Sequence, residues 1–226
     1  MIPTKQQLNK AIEKSPWDFS NKILYDLCRN NFKHNEDDII LTKVLFIGRI
    51  YAAAIERRPN TDKEDINDIF YLEKVTNTFR NSKLDEILEN LNNHIVIDYE
   101  NINSVLNAHY YLTSEIKKIT KLTKRSFSSK YLHFHLPEMF FIYDSRALSA
   151  LKVFIKDVPE NMKEIINKDN IDTEYAKFFC KCLSLKMQIE NHYNIKITNR
   201  QFDNLLIEVA NNKAIEKKNI MLANTL

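Results

Sequence analysis

The sequence predicts an all-α protein, and three observations carry that reading. Glycine occurs once in 226 residues, at Gly48, and proline five times. Sheets and barrels need glycine at their tight turns, and this chain has almost none. Apolar residues recur at helical spacing through most of the chain. Cap residues, acid-loaded first turns and prolines punctuate those stretches. The shortage of glycine also removes glycine-rich phosphate loops and the dinucleotide fingerprint. An apolar content of 44% over this length suits one helical domain over residues 1–226, with room for two helical lobes meeting near residues 119–151.

Taken in order, a first helix is expected over Lys5 to Lys14. Ser15-Pro16 supplies a cap and a first-turn proline, so Trp17 to Asn30 reads as the second. Asn35 is followed by Glu36, Asp37 and Asp38, which favour a helix N-terminus because the dipole there welcomes negative charge. This third helix should run to Arg58 and stop before Pro59, burying Ile40, Val44, Ile47, Tyr51, Ala54 and Ile55. Gly48 and Ala52 would let a neighbouring helix come close. Arg57 and Arg58 suit the last turn, or a phosphate-contacting corner. Further helices are expected over Asp62–Arg80, Ser82–Asn93 and Asp98–Lys118, the last two capped by Ser82 and Asp98. His94–Ile97 reads as an extended connector. Helices then follow at Ser126–Leu136, Asp144–Lys156, Asp172–Asn194 and Thr198–Ala210. A turn surrounds Pro159, and a loop is expected at Asn167–Asp172. The remaining tail reads as a fraying or partner-dependent helix.

Net charge is +3 with a pI near 8.6, a mild basic balance that admits nucleic acid without pointing to it. Cys28, Cys180 and Cys182 are odd in number and lack metal-ligand spacing. The opening "MIPTKQQLNK" is polar, and no apolar run approaches the twenty or so residues of a membrane span. A reducing, cytoplasmic setting with no membrane association is the expectation.

Chemistry concentrates in "KLTKRSFSSKYLHFHLPEMFFIYDSRALSAL", Lys121 to Leu151. As a helix, Ser126–Leu136 puts Phe127, Tyr131 and Phe134 on one face, Ser128, Leu132 and His135 on a second, and Ser126, Lys130 and His133 on a third. His133 and His135 point about 200° apart and cannot share a metal, so no metal is expected. Lys121, Lys124 and Arg125 precede the helix, and Ser126, Ser128 and Ser129 occupy its first turn. Free amides, hydroxyls and cations there make either a capped basic loop or a seat for an anion such as a phosphodiester. Asp144 opens the next helix, as a plain N-cap or as a carboxylate set beside a reacting centre. Arg146 sits against the dipole in that helix's first turn, which calls for a carboxylate or an anionic ligand as partner.

A basic loop, an apolar helix and then "PEMFFIYDSRALSAL" resemble the helix-hairpin-helix DNA glycosylases, in particular their 8-oxoguanine glycosylase-like branch. In that family a hairpin holds a lysine, and an aspartate capping a later helix is essential. "FIYDSRAL" matches the aspartate segment and places Asp144 on it. Spacing places the lysine near Lys124, twenty residues upstream; Lys130 stands closer than the family spacing. The hairpin "KLTKRS" has none of the family's glycines, and Ile142-Tyr143 replaces the proline before the aspartate. The resemblance implies a mainly helical protein that binds duplex DNA, flips a base into a pocket and removes it without a cofactor. Lys124 would attack the sugar and form a Schiff base, and Asp144 would stabilise the developing positive charge. Lys121, Arg125, Ser126, Ser128, Ser129, Lys130 and Arg146 would hold nucleic acid, and Tyr131, His133 and His135 would line the base pocket. A helical nucleic-acid-binding or protein-interaction module without catalysis is the alternative.

Overall fold

The computed structural model describes residues 1–13, 15–57, 67–94, 96–97 and 100–223, with side chains as far as residue 214. The protein is all-α, with no strand among the described residues. Helix α1 (Lys5–Ile12) opens on a capping box in which Gln7 N donates to Thr4 Oγ1 and Thr4 N to Gln7 Oε1. Before α2 (Asp18–Asn30), Ser15 N donates to Asp18 Oδ2 and Trp17 N to Ser15 Oγ, so Ser15 and Asp18 close that end reciprocally.

Helix α3 (Asp37–Ile50) ends eight residues earlier than its pattern suggests. The reason lies at Gly48. The chain reverses through Ala52, whose φ of 51° is left-handed, and Ala53 N donates to Gly48 O at 2.7 Å. A Cβ on Gly48 would stand 3.3 Å from the Cα of Ala54. Gly48 thus admits this chain's own return, not the neighbouring helix expected from the sequence. Arg57 lies beyond the helix, and Arg58 and the expected helix start at 62–66 lie outside the described residues.

Helices α4 (Asn67–Ile69) and α5 (Thr76–Arg80) flank a π-helical turn, Phe70–Val75. Next comes α6 (Leu84–Asn92), where Leu84 N donates to Ser82 Oγ. Helix α7 (Ile102–Thr120) stops at Lys121, whose φ of 60° is left-handed; the expected cap Asp98 and Ile95 of the connector lie outside the described residues. Helix α8 (Arg125–His135) ends before Pro137, and α9 (Ser145–Phe154) is capped by Asp144, which accepts from Ala147 N at 2.9 Å. Two 3₁₀ turns, Glu160–Met162 and Ile165–Asn167, lead to α10 (Thr173–Tyr193), capped by Asp172. Thr198 and Gln201 form a second capping box ahead of α11 (Asn199–Ala223), which runs well past the expected Ala210.

The buried apolar residues form one continuous cluster from Leu8 to Val209. Helix α8 lies at its centre, packed against α2, α3 and α7, and every residue from Phe127 to His135 is buried. A helix enclosed on all sides has no solvent face, which is why its sequence shows three faces rather than one apolar stripe. Helix α11 packs along α9 and α1. No helix among the described residues is long and apolar enough to cross a membrane.

Candidate functional site

Four charged side chains from three helices share one neighbourhood: Lys130 on α8, Asp144 at the head of α9, and Arg200 and Asp203 on α11. Lys130 is 4% exposed. Its ammonium donates to Tyr51 O at 2.9 Å and Ser126 Oγ at 3.0 Å, and stands 3.8 Å from Asp144 Oδ2. The reversal after α3 makes the first of these possible, by turning Tyr51 O toward α8. Burial pushes the Lys130 pKa below its ordinary value; Asp144 and Asp203 oppose that shift, and Arg146 adds to it.

Asp144 keeps 24% of its side-chain surface exposed. One of its oxygens caps α9 while the other faces Lys130. Ser129 aligns this segment by accepting from Tyr143 N at 2.9 Å. Deeper in, Arg200 donates to Asp203 Oδ2 at 2.9 Å and lies over the Tyr51 ring, 5.7 Å from its centroid. Burial pushes the Asp203 carboxyl up to about 6; Arg200 and Lys130 pull it down and Asp144 pushes it further up.

Three buried polar atoms here have no hydrogen-bond partner: Asp203 Oδ1, Arg200 Nε and Asn21 Nδ2. The Tyr51 hydroxyl donates to the other end of Asn21, its Oδ1. Asn21, Tyr25 and Arg200 line a cavity of about 270 Å³. Tyr25, which lines it, and Tyr51 both pack against the Phe134 ring. Orphaned buried donors and acceptors next to a cavity are hydrogen-bonding demand that a ligand or a water meets.

The structure sorts the residues singled out in the sequence. Lys124, expected as the nucleophile, points its ammonium at the carbonyls of Ala54 and Arg57; the lysine beside Asp144 is Lys130. Arg125 donates through Nε to both oxygens of Asp172, at 2.8 and 2.7 Å, and so ties α8 to α10 instead of waiting for a phosphate. Ser128 and Ser129 are fully buried and out of reach of a DNA backbone, while Ser126 accepts from Lys130. Lys121 is exposed and donates to Lys118 O. Arg146 is exposed and makes no hydrogen bond or ion pair among the described residues.

The expected base-pocket residues turn out to be core. Tyr131 and His133 have no exposed surface. His133 donates through Nδ1 to Phe140 O and accepts at Nε2 from Tyr25, and burial holds its pKa down at about 4. His135 donates to Tyr131 O, and its small exposed edge borders a different cavity, of about 600 Å³. Asn21, Tyr25, Tyr51, Arg200 and Asp203 went unnoticed in the sequence. One signal was present: Asp203 interrupts the apolar run Phe202, Leu205, Leu206, Val209, and a carboxylate among buried positions is informative.

Comparison with protein-family models, curated proteins and solved structures gives no match.

Proposed function

We propose that this chain binds duplex DNA and excises a base through an imine between Lys130 and the deoxyribose. The carrying observation is the pairing of a desolvated lysine with a helix-capping, partly exposed carboxylate 3.8 Å away. Burial favours the neutral amine that the chemistry needs. Its lone pair forms a bond to C1′ as the bond from C1′ to the base breaks. The electron pair leaves with the base, which takes up a proton. The nitrogen gives up its two protons, one balancing the proton taken by the base and one passing to the ring oxygen as its bond to C1′ opens, which leaves the neutral imine. Asp144 faces the positive charge that grows on the sugar.

The flipped base enters the cavity of about 270 Å³. Asn21 and Arg200, each with an unpartnered nitrogen, line it together with Tyr25, which supplies the aromatic contact; Asp203 is linked to it only through its ion pair with Arg200. Unstacking the base costs a few kcal/mol, on the order of what such contacts return. Arg146 and Lys121 are the exposed cations best placed for the DNA backbone. The tie from Lys130 to Tyr51 O favours a second reading, a DNA-binding module in which this lysine only joins α8 to the end of α3.

Borohydride reduction of the protein with a duplex carrying one abasic site separates the two. The excision reading expects a covalent adduct that Lys130→Gln abolishes, since glutamine still donates to Tyr51 O but has no nucleophilic amine. Binding without any adduct leaves the module reading standing. An adduct that survives Lys130→Gln places the chemistry elsewhere.

A further inference from the structure

A third cavity, of about 470 Å³, opens between α6 and α7. Lys, Arg, Asp and Glu make up 28% of the chain, yet none of them is among the eleven residues lining this cavity. Asn90, Ser104, Asn107, Tyr110, Ser114 and Asn170 line it, and their side chains make no hydrogen bond among the described residues. Tyr111 also faces it, its hydroxyl held by Lys83 N at 2.7 Å. Asn170 reaches the cavity from a turn where its φ is 59°, a left-handed conformation that asparagine tolerates better than most residues. Ile87, Leu91 and Ala108 supply an apolar floor.

This lining selects by chemistry. A phosphate or carboxylate placed here would lose water without meeting a Lys or Arg, the His94 imidazole being the one lining group able to carry positive charge. A wholly apolar ligand would strip water from three carboxamides and leave them unpaired. The groups present each donate and accept: carboxamides, serine hydroxyls, phenols and the His94 imidazole. A sugar ring matches them, because its hydroxyls also donate and accept while its C–H face lies against apolar carbon. The volume falls in the range of small-ligand sites, roughly 300–1,000 Å³.

We infer that the α6–α7 cavity is a binding site for an uncharged sugar ring, presented by a neutral saccharide or by a nucleoside without phosphate. The site is independent of the Lys130 centre and stands whether or not that centre performs chemistry.

Calorimetric titration of the intact chain tests it with two matched series: glucose and maltose against glucose 6-phosphate, and adenosine and uridine against their 5′-monophosphates. At least one neutral compound should bind saturably, with its phosphorylated form weaker by about tenfold or more. The series that binds identifies the source of the ring. Asn107→Leu and Ser104→Ala alter exposed positions and should weaken that binding with an unchanged melting temperature. Three results each overturn the inference: tighter binding of the phosphorylated forms, no saturable binding of any neutral compound, or full affinity in both variants.

Discussion

Two lysines are buried among the described residues, and the contrast between them shows what makes a buried amine more than a structural cation. Lys43 on α3 is completely enclosed, and its ammonium donates to the carbonyls of Phe32 and Lys33 just past α2. Burial pushes its pKa down to about 8, with Cys28 and Asp85 opposing. Around it stands a satisfied relay in which Tyr131 donates to His34 Nε2 and His34 Nδ1 to Asp85. Lys130 is nearly as deep. It faces a carboxylate that still reaches solvent, and beyond it lie Asp203 and Arg200, each with an unpartnered atom near a cavity. Both amines are desolvated, but among the described residues only Lys130 has a carboxylate within 4 Å of its ammonium.

The largest expected effect breaks the symmetry between the two. Lys130→Gln should remove borohydride-trapped adduct to background, whereas Lys43→Met should leave adduct yield near wild type. Methionine at position 43 fills similar volume but leaves the Phe32 and Lys33 carbonyls without their donor, so stability should fall by about 1–3 kcal/mol while the protein stays folded. Loss of adduct from Lys43→Met in a folded protein would erase the distinction drawn between the sites.

Asp144 comes next, because it acts as cap and as charge. Asp144→Asn retains an N-cap side chain and should keep stability within a few tenths of a kcal/mol, while Asp144→Ala should cost about 1 kcal/mol. Both should slow adduct formation on the order of 10²-fold, the scale of losing one electrostatic contact to a transition state. Equal rates in wild type and Asp144→Asn would reduce Asp144 to a cap.

Stability against pH reads the two clusters at once. Asp203 is raised to about 6, above the ordinary value of ~3.9 for an aspartate. Its contribution is therefore complete below ~3.9 and is lost as pH rises through 6. The histidines act oppositely. Burial lowers His109 and His133 to about 4 and also lowers His34 and His135, so their contribution is complete above ~6.5 and is lost as pH falls toward 4. Four outweigh one, and the urea midpoint should climb from pH 4.5 to 6.5. Asp203→Asn removes the opposing group and should steepen that climb by up to ~1.4 kcal/mol per pH unit. An unchanged slope would mean that Asp203 does not titrate in this window.

Much of the fold was legible because helices announce themselves locally. Asp144 and Asp172 cap where the pattern places them, and Pro137 closes α8. Helix α3 misled for a physical reason: its apolar spacing continues past Ile50, but Gly48 lets the chain fold back, and backbone reversal leaves no trace in side-chain period. Site membership was harder to read. The face Ser126, Lys130, His133 was visible, yet Asn21, Tyr51, Arg200 and Asp203 come from distant segments that only tertiary packing assembles. A spacing argument also cannot know that Lys124 is drawn to the carbonyls of Ala54 and Arg57.

Lys124 gives the smallest expected effect. Its ammonium is held by the same segment after α3 that receives Lys130, so the two lysines grip one backbone reversal from the start and the middle of α8. Lys124 is only half-buried, and water can replace part of what Lys124→Ala removes. Hydrogen bonds from a charged donor are worth ~1.5–3 kcal/mol at most, and exposure reduces that here. The melting temperature should fall by roughly 2–4 °C, as about 1 kcal/mol does in a chain of this size. Adduct yield should stay within about twofold of wild type, since 1.4 kcal/mol separates a tenfold change from none. The reverse pattern, adduct lost in Lys124→Ala and kept in Lys130→Gln, would assign the amine chemistry to the hairpin and leave Lys130 with the same structural duty as Lys43.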